Sequence, residues 1–191
     1  MKYFVLLTLL ALPSWANQCL ELDKDTFSLK FTGYKFTEKA GVTGEFKNTQ
    51  FSAPSKGQLS DILSNAMIFI DTTSIDAGNE ARNTNISSSL FKTLVDGHSI
   101  RAIAKKIDTN ENKLFVDLYM GRKIQEVVLN YSYNKNLIKI DGSIDLLKLG
   151  FNKAFEALAN KCGPLHTGKD GKAKTWSDVA INLSIKTKQC K

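Results

Sequence analysis

The feature that most limits what this chain can become is an apolar rhythm of period two, repeated along most of its length. Leu114, Val116, Leu118 and Met120 alternate with Phe115, Asp117 and Tyr119, and Phe27, Leu29 and Phe31 alternate in the same way with Ser28 and Lys30. Such a period sends successive side chains to opposite faces of a strand. Eight segments qualify: 27–36, 42–46, 66–70, 99–107, 114–120, 127–133, 138–144 and 179–186. The third is a continuous apolar run and is expected to be the most fully buried, while the fourth carries apolar residues in both parities. Asn110-Glu111-Asn112, Gly121-Arg122 and Asn134-Lys135-Asn136 supply hairpin turns between successive segments. The expected fold class is therefore mainly β, an eight-stranded antiparallel barrel.

Two stretches break the rhythm. Leu147, Phe151, Ala154, Phe155 and Leu158 share one helical face, opposite Lys148, Asn152, Lys153 and Glu156, so an amphipathic helix is expected over 147–158, ended by Gly163-Pro164. A shorter, weaker helix is expected within 79–94. At the start, Lys2, an apolar run from Tyr3 to Leu12 and the small residues around Ala16 have the order of an export leader cut after Ala16. The run is too short for a membrane anchor, which needs about 20 apolar residues. Residues 1–16 are thus expected to be a signal peptide and 17–191 one domain, periplasmic or secreted, with no transmembrane anchor after processing.

Three cysteines permit one internal disulfide. In an even-stranded barrel the first and last strands are antiparallel neighbours, which brings Cys19 and Cys190 together; Cys19 with Cys162 is the other candidate pair. With two histidines and no G-x-S-x-G elbow, a Ser-His-Asp hydrolase has no support. Cys162 and His166 are four apart but lack a second ligand pair, so no metal or cofactor is expected. Asp71, Asp76 and Glu80 lack the spacing of a calcium loop and suit helix capping, a role that Asn79 also fits. The net charge of +7 comes without aromatics interleaved in a basic stripe, so no nucleic-acid partner is expected.

What remains is the barrel interior. An eight-stranded barrel is either filled by its side chains or holds one slender ligand, and Gly33, Gly44, Ala102, Ala104 and Gly142 on the strands are expected to leave room. The expected cavity lining is Phe31, Phe46, Ile68, Ile70, Val116, Leu118, Leu129 and Ile140, with Phe151 and Phe155 on the helix covering one opening. A filled core is the competing outcome of the same pattern.

Particular motifs narrow the choice. Phe31-Thr32-Gly33-Tyr34-Lys35 and Gly41-Val42-Thr43-Gly44-Glu45-Phe46, then Ile75-Asp76-Ala77-Gly78-Asn79-Glu80-Ala81-Arg82-Asn83 followed by Ser89-Leu90-Phe91, resemble the YceI-like family of exported lipid-binding proteins. Cys162, His166 and the stretch 174–179 resemble a cysteine-containing branch. The resemblance implies a lipocalin-like barrel that holds a long-chain amphiphile (a polyisoprenoid, a quinone-like lipid or a fatty amide) without catalysis, and it allows a homodimer. The family's Tyr-Pro segment after the signature helix is absent from 93–101. By position, Arg82, Asn83 and Lys174 are the head-group candidates, although the first two also suit roles in stabilising a turn. The alternatives are a filled-core interaction or stress protein, and an enzyme acting on an amphiphile in the cavity.

Overall fold

The computed structural model describes residues 18–190, so the expected leader lies outside the described residues. The strands are β1 (Leu20–Lys35), β2 (Ala40–Phe46), β3 (Thr49–Ser52), β4 (Lys56–Gly57), β5 (Met67–Asp71), β6 (Ile75–Asp76), β7 (Ser99–Asp108), β8 (Lys113–Met120), β9 (Lys123–Asn134), β10 (Leu137–Asp145) and β11 (Asp178–Gln189). Three helices accompany them: α1 (Leu59–Ser64), α2 (Glu80–Ile86) and α3 (Asn152–Cys162). The sheet order is β3-β5-β7-β8-β9-β10-β11-β1-β2-β6, with β4 on β1, and the pairings are antiparallel. β2 pairs with β1, β3 pairs with β5, and only Lys47 and Asn48 lie between β2 and β3. One bent segment therefore joins both ends of the sheet and curls it around a single interior.

The mainly β class is as expected, and the expected eight strands correspond to β1, β2, β5 and β7 through β11. The count is higher because the bend detaches β3 and because β4 and β6 are two-residue pairings too short to carry a rhythm. β8 shows the alternation most plainly, with Leu114, Val116, Leu118 and Met120 buried. β7 resolves its double parity by a bulge between Ala104 and Lys106. The extra residue flips the pleat, so Ile100, Ala102 and Ala104 line the interior before it and Ile107 packs on the core after it.

Two expectations need correction. The run 66–70 is not buried on both faces: Met67 and Phe69 on β5 are about 40% exposed, because the outer side of this strand meets solvent rather than a second layer. The helix expected over 147–158 begins later. Asp145 accepts the Leu147 N–H at 2.9 Å and holds a turn there, leaving Leu147 exposed and α3 to start at Asn152.

At one end of the barrel α1 buries Ile62 and Leu63 against β1, β8, β10 and β11. Here β1 and β11 run side by side from Leu20↔Gln189, and the adjoining Cys19 and Cys190 form a disulfide with a Cα separation of 5.4 Å. The neighbouring-strand reasoning thus selected the right pair, and Cys162 is a buried free thiol. At the opposite end α2, a π-helical turn over Ser87–Phe91 and α3 form a second apolar layer, in which Phe46 packs edge-on against Phe91 at 5.9 Å.

Candidate functional site

Among the described residues, the interior contains stacked cavities of about 170, 120 and 60 Å³. The upper and middle ones share Phe31, Phe46, Ile100, Met120, Ile144 and Ile181, and the middle and lower ones share Ile68, Ala102, Val116, Leu129, Ile140 and Leu183. Along β8 the lining passes from Leu114 at the bottom to Met120 at the top, roughly 20 Å of strand at about 3.4 Å per residue. The middle and lower parts are lined almost wholly by apolar side chains, and α1 closes the lower one through Ile62 and Leu63.

Small residues act here in two ways. A Cβ on Gly33 would meet nothing within 4 Å, and Ala102 and Ala104 line the lower space, so these three do leave room. Gly44 and Gly142 do not. A Cβ at Gly44 would lie 2.5 Å from Phe31 Cζ, and one at Gly142 would lie 2.6 Å from Leu129 Cδ2. Their missing side chains let a large neighbour fold across the backbone.

Polar groups gather at the upper end, where β1 runs out. The loop after α3 is stitched to that strand end: Trp176 N–H donates to the Tyr34 carbonyl at 3.2 Å, Trp176 Nε1 donates to the Phe36 carbonyl at 2.8 Å, and Phe36 N–H donates to the Lys174 carbonyl at 2.9 Å. This fixes Thr175, whose hydroxyl lies 2.7 Å from His166 Nδ1. From the other side α2 delivers Arg82. Gly78, at φ +75, turns the chain; Asp76 Oδ1 accepts the Gly78 N–H at 2.9 Å; and Asn79 caps the helix by accepting the Arg82 N–H at 2.9 Å. Arg82 Nη1 then donates to the Ala77 carbonyl at 2.5 Å. Lys35, Arg82, Cys162, His166, Thr175 and Trp176 all line the upper cavity. Burial pushes the Cys162 thiol pKa up. Burial, followed by the nearby charges of Lys35 and Arg82, holds the His166 pKa below its ordinary value, which favours the neutral ring.

The family model for the YceI-like domain matches residues 20–187. The chain belongs to the YceI-like family. Solved structures agree on the fold. A polyisoprenoid binding domain from Saccharophagus degradans, implicated in plant cell wall breakdown, is 15% identical with a TM-score of 0.56, covering 91% of this chain and 99% of that one. BcnA from Burkholderia cenocepacia is 17% identical with a TM-score of 0.55, covering 86% and 98%. The YCEI protein of Campylobacter jejuni is 15% identical with a TM-score of 0.51, covering 80% and 86%. No curated protein matches.

Against this YceI-like frame the expected site residues separate. Phe31 and Phe46 line the upper and middle cavities, Ile68, Val116, Leu129 and Ile140 the middle and lower, and Ile70 and Leu118 the middle one. Phe151 and Phe155 do not line the space; they pack with Leu146, Phe91 and Ala154 in the layer above it, because α3 turns Leu158 and Cys162 inward instead. Of the head-group candidates only Arg82 reaches the cavity. Asn83 is occupied by the turn, its Oδ1 accepting the Ala77 N–H at 2.7 Å, and Lys174 lies over the Trp176 ring at 5.0 Å, outside the lining. Lys35, His166, Thr175 and Trp176 are the rim residues that sequence reasoning missed. The Cys162-x-x-x-His166 spacing was the available signal: it marks two polar side chains on one side of a chain segment, here pointed at a cavity.

Proposed function

We propose that this chain is an exported carrier that holds a long-chain amphiphilic lipid, of the polyisoprenoid, quinone-like or fatty-amide kind, in the barrel and performs no reaction on it. The observation that carries this reading is the stack of adjoining apolar cavities from Leu114 to Met120, ending in a polar rim at one end. A tail laid along the stack is removed from water at about 0.8 kcal/mol per methylene, so ten methylenes offer about 8 kcal/mol against the cost of ordering the chain. The polyisoprenoid binding recorded for the Saccharophagus domain supports the same class of ligand. The Cys19–Cys190 disulfide supports export, since such bonds persist in oxidising compartments, and the leader-like order of residues 1–16 points the same way. A filled-core protein fits less well, because the interior keeps about 170 Å³ at its widest.

Native mass spectrometry of the purified protein tests the reading. An adduct of lipid mass is expected, and a clean apo mass in repeated preparations would overturn it. Gly33→Leu fills the upper cavity from a position with open space around it, so this variant is expected to fold normally and lose the adduct.

A further inference from the structure

The upper cavity differs from the two below it in charge as well as size. Lys35 from β1, Arg82 from α2 and His166 from the turn after α3 converge on it, and no aspartate or glutamate is among its lining residues. Both cations are half-buried. Neither forms an ion pair among the described residues: Lys35 Nζ sits over the Phe36 ring at 4.5 Å, and Arg82 has only the Ala77 carbonyl. Of the acids on the flanking segments, Asp178 pairs with Lys39 at 2.7 Å, Asp170 accepts from the Thr37 hydroxyl at 2.9 Å and Asp76 pairs with Lys47 at 3.3 Å, while Glu80 opens α2 outside the cavity lining. Cations drawn partly out of water without a counter-charge raise the free energy of the empty state, and an anion placed between them restores what solvent supplied. Thr175 and neutral His166, joined through Oγ1 and Nδ1 at 2.7 Å, keep one donor for a ligand oxygen: the ring Nε2–H when the hydroxyl donates to Nδ1, or the hydroxyl when Nδ1–H donates to it.

The geometry points to an anionic head group, a carboxylate or phosphate at the end of an apolar tail, held between Arg82 and Lys35 at the mouth of the barrel. This rests on the carrier reading and narrows it from neutral amphiphiles to acidic ones. The anion must bring its tail, because the rim lies at the top of a stack whose walls are hydrocarbon. Among residues 17–191 the sole tryptophan is Trp176, which lines this cavity and reports occupancy through its fluorescence.

The test compares hexadecanoate, hexadecanamide and hexadecanol, matched in chain length, with inorganic phosphate and acetate as tail-free anions. It is run on delipidated protein at neutral pH and about 0.15 M salt, where charges within roughly 8 Å still interact. Hexadecanoate is expected to bind about tenfold more tightly than the amide, as hydrogen bonds to a charged group exceed neutral ones by about that factor. Arg82→Gln and Lys35→Gln are each expected to bring the acid-to-amide ratio towards unity, while Lys139→Gln, which removes an exposed positive charge on β10, leaves the ratio unchanged. Lys35→Gln keeps the test decisive should Arg82→Gln loosen the Ala77 turn. Equal binding of acid and amide overturns the acidic head group and leaves the carrier standing. Binding of none overturns both. Phosphate or acetate binding as tightly as hexadecanoate overturns the coupling of anion to tail.

Discussion

At the disulfide end of the barrel Ile138 has no exposed surface, Ile62 and Ile185 are within 2% of full burial, and the remaining space is about 60 Å³. At the other end the space is about 170 Å³, its lining residues include Arg82, Lys35 and His166, and its cover is built from short helices and turns. Both ends are made from the same strands, since β1, β8, β10 and β11 run through both. The difference lies in what caps them. α1 sends Ile62 and Leu63 down into the barrel, whereas α2, the π-helical turn and α3 lay an apolar layer over the strand ends and leave about 170 Å³ beneath it. The tightest packing is thereby concentrated at the disulfide end, and the roomier end rests on hydrogen-bonded turns.

Ile138→Ala, in the closed end, carries the largest expected effect. It removes a fully buried side chain from a tightly packed site, and a loss of about 2–5 kcal/mol in unfolding free energy is expected by chemical denaturation. Ile138 also lines the lowest cavity, so the variant adds room there, and the folded fraction should still retain lipid; if ligand is lost in step with stability, the two ends are not separable. Replacing Cys19 and Cys190 together by serine comes next. It frees a cross-link between residues 171 apart in sequence, for an expected loss of about 2–4 kcal/mol, read in the same experiment.

Asn79→Ala works at the open end and is smaller. Losing the cap on the Arg82 N–H should cost about 1 kcal/mol, and hydrogen exchange should quicken over 79–91 while the amides of β8 and β10 keep their protection. The smallest effect is in pH. Because the His166 pKa is lowered in the folded protein, the unfolded chain takes up this proton first as pH falls. The contribution is complete above about pH 6.5 and is lost as pH drops through the depressed folded value. A second, lower acid window comes from Asp71, whose pKa the Thr73 hydroxyl lowers, and from Asp76, whose pKa the Gly78 N–H lowers. Thermal melts across pH should show both windows in the wild type and only the lower one in His166→Gln.

The strand rhythm was legible because an interior face and an exterior face impose opposite chemistry on alternate residues. The same reasoning failed at β5, where an apolar run looks identical whether one face or both are covered. It failed again at Leu147, where a single carboxylate on Asp145 turns the chain before the helix begins. Gly44 and Gly142 read as empty space in the sequence, but only the neighbouring Phe31 and Leu129 rings and branches show that the space is taken. Arg82 was reachable from its motif and His166 from its spacing to Cys162; the meeting of Lys35 with His166 and Thr175 was not, since Lys35 is more than 100 residues from both and joins them through backbone bonds between a strand end and a loop.

By itself, then, the sequence determined the β class and the family, and it narrowed the disulfide to two candidate pairs, of which the structure forms Cys19–Cys190. The first two follow from local periodicity and from a contiguous motif. The tertiary structure alone decided that the interior is roomy at one end and tightly packed at the other, and which cations line the roomy end. Those outcomes depend on how short helices seat on the barrel rim, a matter of packing between distant residues that no period or spacing records.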